Sequence, residues 1–259
     1  MKKRLVSILT IVTLLICSIS ASAQQTNEVD EYLLDAGFPQ SIVETMSETK
    51  KDYIYEITHN KEDIAFCSYE EKQFNINEEG LLSEISTTPR GGQISPSDLT
   101  VDVIGIVSNT SEGIEYSVFP SFVWNVVKKV KNDSFSMSMY SGWEAVPGAR
   151  NLRLYFINAY GNSTYTDLNP TQSNSSGYTF KVPSSTGAVQ GLYEGHGYYD
   201  LIKKASNPTP AISLHYTHDA SSSMTVSYGI NLGVGSISVS SNSSYLYTFS
   251  DNFNVEGLY

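Results

Sequence analysis

The clearest pattern in the chain is an alternation that runs from Ile212 to Phe249. Ile212, Leu214, Tyr216 and His218 interleave with Ser213, His215 and Thr217. After a Ser-rich turn, Met224, Val226, Tyr228, Ile230, Leu232 and Val234 interleave with Thr225, Ser227, Gly229, Asn231 and Gly233. Successive side chains of a strand point to opposite faces, so a period of two predicts strands with one apolar face and one face toward water. The period recurs where Phe135, Met137 and Met139 face Ser134, Ser136 and Ser138, and again in Leu152, Leu154 and Phe156 and in Tyr178, Phe180 and Val182. Val101 to Val107 is rich in β-branched residues and predicts a central strand. Ile114 to Val127 is a further strand, which Pro120 marks as an edge or a bulge. Residues 158–174 read as a polar loop, and Gly187, Gly191, Gly195 and Gly197 read as bends. Short strands at this spacing predict an antiparallel β-sandwich over residues 99–259.

The start of the chain has a different period. Val29, Tyr32, Leu33 and Ala36 fall at i, i+3, i+4 and i+7, with Glu28, Asp30 and Glu31 at the favourable end of the helix dipole and Gly37 as the C-terminal cap. A second short helix carries Ile42, Val43 and Met46. Ser47 caps a third helix, with Tyr53, Ile54 and Ile57 on one face and no capping box, since Lys50 stands where Glu or Gln would. A strand from Ile64 and a hairpin partner at Leu81 to Ile85 follow. Residues 24–86 are thus expected to form a small helical segment with a short hairpin. Residues 87–98, dense in Thr, Pro, Gly and Ser, read as a linker.

Leu33-Leu34-Asp35-Ala36-Gly37-Phe38-Pro39, then Met46-Ser47-Glu48 and Tyr53-Ile54-Tyr55, resemble the opening segment of uncharacterised secreted proteins of Gram-positive bacteria. The resemblance covers roughly the first 35 residues after the leader. It implies a provenance and no activity.

Residues 1–23 have the form of a secretory signal: Lys2, Lys3 and Arg4, an apolar run from Leu5 to Cys17, and Ala21-Ser22-Ala23 as the cleavage site before Gln24. The apolar run is short for a membrane anchor. Ile16 before Cys17 does not fit a lipid-attachment site. The chain carries a formal charge of −11; loss of the three basic leader residues leaves Lys+Arg at 13 against Asp+Glu at 27, a charge of −14. Such a chain repels phosphate backbones, which excludes nucleic acid as a partner. Cleavage leaves Cys67 as the sole cysteine, so no intramolecular disulfide forms and stability must come from packing. A secreted, extracellular protein is expected.

Candidate chemistry is sparse. No G-x-S-x-G elbow supports a serine nucleophile, and the serines occupy alternating positions expected of a wetted sheet face. His215 and His218 are three apart, hence on opposite faces of a strand, and do not make a metal pair with Asp219. Glu194, His196 and Asp200 form a candidate site in the Gly-rich segment. Glu144 and Glu194, each beside an aromatic, form a candidate glycosidase pair. Asp167 is a candidate calcium carboxylate, without an Asp-rich loop motif. Aromatics carry the stronger signal. Tyr155, Tyr160, Tyr165 and Tyr178 belong to a set placed at strand ends or in Gly/Ser/Asn-rich loops, and Trp143, Tyr193, His196, Tyr198 and Tyr199 are its ligand-binding candidates. The reading is a mainly β, secreted, non-enzymatic binding or surface-associated protein whose partner is a cell-surface glycan or protein. No catalytic residue, cofactor or metal is assigned. One alternative is a membrane-damaging protein that uses residues 224–249 as a β-hairpin. A second is a hydrolase acting on glycans.

Overall fold

A computed structural model describes residues 28–76, 82–84, 99–110, 113–125, 132–158, 163–183, 191–219, 226–231, 236–241 and 246–254. The expected leader, residues 1–23, and the expected linker, residues 87–98, lie outside the described residues. Two compact units divide at Ala65/Phe66.

The first unit is helical: α1 (residues 28–35), α2 (Gln40–Thr45) and α3 (Glu48–Thr58). Gly37 ends α1 at φ +84°, where a side chain would be strained. Its N–H bonds the Leu34 carbonyl, and the Phe38 N–H bonds that of Leu33. This is the paired-bond C-terminal cap, and Leu33 and Phe38, the two residues that close over it, are both buried. Val29, Ala36, Val43, Tyr53 and Ile54 complete the small core, and the Tyr32 hydroxyl donates to Thr58 Oγ1 at 2.9 Å. Ser47 precedes α3 without a side-chain cap bond.

The second unit is two antiparallel sheets and a hairpin. The strands are β1 (Ala65–Ile76), β2 (Leu82–Glu84), β3 (Leu99–Thr110), β4 (Gly113–Trp124), β5 (Asn132–Met139), β6 (Trp143–Asn158) and β7 (Ser163–Leu168). They continue as β8 (Gln172–Asn174), β9 (Gly177–Pro183), β10 (Gly191–Lys203), β11 (Ala211–Asp219), β12 (Val226–Asn231), β13 (Ser236–Ser241) and β14 (Leu246–Asn254). The seven-stranded sheet has the order β2-β1-β3-β4-β10-β6-β7 and the five-stranded sheet β14-β11-β5-β9-β8; β12 and β13 pair only with each other. β1 and β2 thus join the sandwich sheet, although the sequence grouped them with the helices.

The alternation places the core. Val101, Val103, Val118, Phe122, Trp124, Leu152, Leu154 and Tyr199 come from the seven-stranded sheet, and Phe135, Met137, Phe180, Leu214, Tyr216 and Phe253 from the five-stranded sheet. Phe122 meets Phe135 at 5.1 Å and Tyr216 at 4.8 Å between ring centroids, and Tyr178 stacks on Tyr199 at 5.0 Å. Rings at these spacings gain both buried area and favourable quadrupole geometry.

Three local expectations are corrected. Pro120 lies in central strand β4 rather than at an edge: it pairs with Val103 on one side, while on the other the β10 register pairs His196 with Ser121 and resumes only at Tyr199 with Val118. The gap leaves proline's missing donor without a ladder bond to make. Gly191, Gly195 and Gly197 are not bends but lie in strand β10, and glycine is required at 195 because a Cβ there would stand 2.2 Å from the Phe122 ring. The polar stretch 158–174 contains strands β7 and β8, which are polar because they are exposed sheet edges.

Candidate functional site

The seven-stranded sheet has a second face, and it is also largely buried. In register across five strands stand Asp102, Ser121, His196, Arg153 and Asp167. The adjacent row reads Thr100, Val123, Glu194, Tyr155 and Tyr165. Neighbouring strands stand about 4.8 Å apart, so side chains next to each other in a row are within reach of contact. Ser121 Oγ donates to Asp102 Oδ2 at 2.7 Å, and His196 Nε2 lies 3.2 Å from Glu194 Oε2. The His196 ring packs 5.3 Å from Tyr155. Further along β10, Ser117 Oγ donates to Asp200 Oδ1 at 2.6 Å and Tyr198 OH donates to Asp200 Oδ2.

The rows end at the open edge. Arg153, only 6% exposed, sends Nε and Nη2 to the two Asp167 carboxylate oxygens at 2.7 and 3.0 Å. Its guanidinium sits 4.4 Å from the Tyr165 ring centre, and Tyr165 leans on Tyr155 at 5.7 Å. A planar guanidinium both forks onto a carboxylate and stacks on an aromatic face, and here it does both at once. Tyr165 is 60% exposed, the one exposed Tyr, Phe or Trp among the residues whose side chains are described. β7 is exposed from Ser163 to Asp167 and ends the sheet order.

The sequence candidates distribute differently from the expectation of exposed loop aromatics. Tyr199 points into the core and is fully buried. Trp143 is buried at the start of β6, its Nε1 donating to the Thr209 carbonyl at 2.9 Å and its ring edge-on to Tyr116. His196 is 1% exposed in mid-strand, not in a loop, and Tyr198 is half-buried against Phe119. Tyr193 pairs with Trp124 and Phe156 along the backbone; its side chain lies outside the described residues, as do those of His218 and Asp219. Glu194 and His196 do come together, while Asp200 stands with Ser117 and Tyr198. Tyr165 belonged to the aromatic set but not to its ligand-binding candidates, because its polar neighbours looked like a loop.

The catalytic pairs the sequence offered are not assembled here. Ser121, opposite His196, gives its hydrogen bond to Asp102. Glu194 and Glu144 are eight positions apart along the β10–β6 pair, Glu144 pairing with Ile202, which is about 26 Å of strand at 3.3 Å per residue. A glycosidase pair needs its carboxyls about 5–10 Å apart, so these two do not form one. Among the described residues no group of three or more His, Cys, Asp or Glu side chains gathers to hold a metal.

The five-stranded sheet likewise buries its non-core face, correcting the expectation that its serines are wetted. Ser134, Ser136 and Ser138 on β5, Thr179 on β9, and Ser213, His215 and Thr217 on β11 are all buried. Ser136 Oγ and Thr179 Oγ1 are 3.0 Å apart. Both ring nitrogens of His215, and the hydroxyls of Ser134, Ser138 and Thr217, have no hydrogen-bond partner among the described residues. Burial pushes the His215 pKa down to about 4. β13 lies against β5 and β11, and β12 against β9.

No family model and no curated protein matches the chain. Among solved structures, one described as a pore forming protein aligns with 71% of this chain and 96% of its own, at 8% identity and a TM-score of 0.33. A collagen-binding domain from a Staphylococcus aureus adhesin aligns with 52% of this chain and 86% of its own, at 9% identity and a TM-score of 0.29. A third, described as pH-induced modulation of Streptococcus parasanguinis adhesion by Fap1 fimbriae, covers 74% and 95% at 10% identity and 0.30. Likenesses at these scores carry no argument about this chain.

Proposed function

We propose that the protein is an exported, non-enzymatic binding protein that attaches to a protein partner at the open edge of β7. The observation that carries the reading is Tyr165: an exposed ring held in place by a buried arginine, on a strand whose outer edge continues the sheet into solvent. A rigid aromatic loses little entropy on contact, and an open edge accepts the backbone of an extended partner segment. Export rests on the leader-like residues 1–23, with cleavage after Ala23. The test is co-sedimentation of the chain with bacterial wall fragments, intact or stripped of surface protein by protease. Pelleting with intact fragments alone, lost in Tyr165→Ala, supports the reading. Equal pelleting with stripped fragments points to a glycan and defeats the protein partner; unaltered pelleting of Tyr165→Ala defeats the site.

A second reading has its own observation. The β12–β13 hairpin is a separate two-stranded sheet, and its register sets Tyr228 opposite Val239 and Ile230 opposite Ile237, with Ser227, Gly229 and Asn231 facing Ser240, Ser238 and Ser236. One apolar and one small-polar side suit a bilayer-engaging hairpin. Dye release from zwitterionic vesicles tests it, and vesicles that stay sealed would remove it.

A further inference from the structure

The hairpin covers an unusual surface. The core face of the five-stranded sheet is filled by the seven-stranded sheet, so β12 and β13 contact β9, β5 and β11 from the opposite side. Among the residues whose side chains are described, the buried ones on that side are all Ser, Thr or His: Ser134, Ser136, Ser138, Thr179, Ser213, His215 and Thr217. Such groups lose water when covered and regain it when uncovered. Orphaned hydroxyls make the covered state costlier still. Among the described residues, neither β12 nor β13 joins the backbone ladder of another sheet. A cover over a hydrophilic surface, tied in by no ladder, is built to come off.

We propose that the β12–β13 hairpin is an acid-released cover of the five-stranded sheet, with His215 beneath it as the trigger. His215 sits on interior strand β11, between Ser136 of β5 and Ser250 of β14 in register. Among the described residues, few charged or titratable positions stand in phase with it along the strands. Lys181 of β9 pairs with Ser134 two strands away and is exposed, and Asp219 lies four positions along β11 in the same phase. The strands β12 and β13 contain no charged residue, and Tyr228 is their only titratable one. No carboxylate pairs with His215 across β5 or β14, so a proton on it is stabilised only when the cover lifts and water enters.

The direction follows from the two protonation equilibria. Above about pH 6.5 the imidazole is neutral whether covered or open, and the hairpin stays down. As pH falls below that value the open state takes the proton first, while the covered state resists until about pH 4. The open-to-covered ratio therefore rises about 30-fold at pH 5.0 relative to pH 7.4. This inference is independent of the β7 reading and of whether the released hairpin meets lipid.

Hydrogen exchange on the full chain, with rates corrected for intrinsic exchange at each pH, tests it. Protection across 226–241 should drop about 30-fold between pH 7.4 and 5.0 while β3 and β4 keep theirs, and His215→Gln should abolish the drop. Unchanged hairpin protection in acid, or a full drop in His215→Gln, overturns the proposal. If His215→Gln opens the hairpin already at neutral pH, an NMR titration of the wild-type imidazole decides instead. A midpoint well below 6.5 supports the mechanism, and one at or above 6.5 overturns it.

Discussion

Removing one hydroxyl, in Tyr216→Phe, tests how the two sheets are joined. Tyr216 on β11 is fully buried, accepts the Trp124 Nε1 hydrogen bond at 3.0 Å and donates to Asp133 Oδ2 at 2.7 Å. Trp124 belongs to the seven-stranded sheet and Asp133 to β5 of the other, so a three-residue chain of hydrogen bonds crosses the core. Phenylalanine fits the same space, keeps the ring contacts with Phe122 and Trp124, and deletes both bonds. A neutral bond is worth about 1 kcal/mol net and one to a carboxylate about 1.5–3, so the variant should lose about 3 kcal/mol. Neither group left behind can turn to water in so closed a place. Urea unfolding followed by tryptophan fluorescence reads the loss as a lower midpoint at unchanged slope. By heat the same loss corresponds to a fall of about 6–12 °C for a domain of this size. A loss under about 0.5 kcal/mol would refute the reasoning, since the hydroxyl would then be bridging nothing of consequence.

Two further outcomes follow from the packing. Gly195→Ala forces a Cβ into the Phe122 ring, which Phe135 and Tyr216 hold from behind, and should cost about 3 kcal/mol in the same urea assay, whereas a neutral result would mean the ring moves freely. Cys67, partly buried on β1 with its thiol pKa pushed up by burial, should react with a disulfide reagent at pH 8 at least tenfold more slowly than the unfolded chain, and an equal rate would contradict its burial.

How much of this was legible in the chain depends on which faces a residue serves. The period of two in β5, β9 and β11 found the core correctly, because Phe135, Phe180 and Tyr216 fall on the side that meets the other sheet. It could not show that Ser134, Ser136 and Ser138 on the reverse are covered, since small polar residues suit water and a covering hairpin equally. Gly195 read as a bend because the ring that requires it, Phe122, is distant in sequence and adjacent only through the β4–β10 pairing. β7 was hidden for the opposite reason: an exposed edge strand has no apolar side to betray it, and Ser163 to Asp167 looks like loop. The site residues divide the same way. Glu194 and His196, two apart on one strand, are neighbours by sequence alone, whereas Arg153, Tyr165 and Asp167 meet only through strand register.

The central claim, attachment through the β7 edge, is tested most directly by an exchange footprint of the chain bound to intact wall fragments. A partner strand added to that edge takes up the outward backbone groups of β7, so exchange across 163–168 should slow on binding while the helices of residues 28–58 stay unchanged. Protection appearing elsewhere, with 163–168 exchanging as in the unbound chain, would contradict the account.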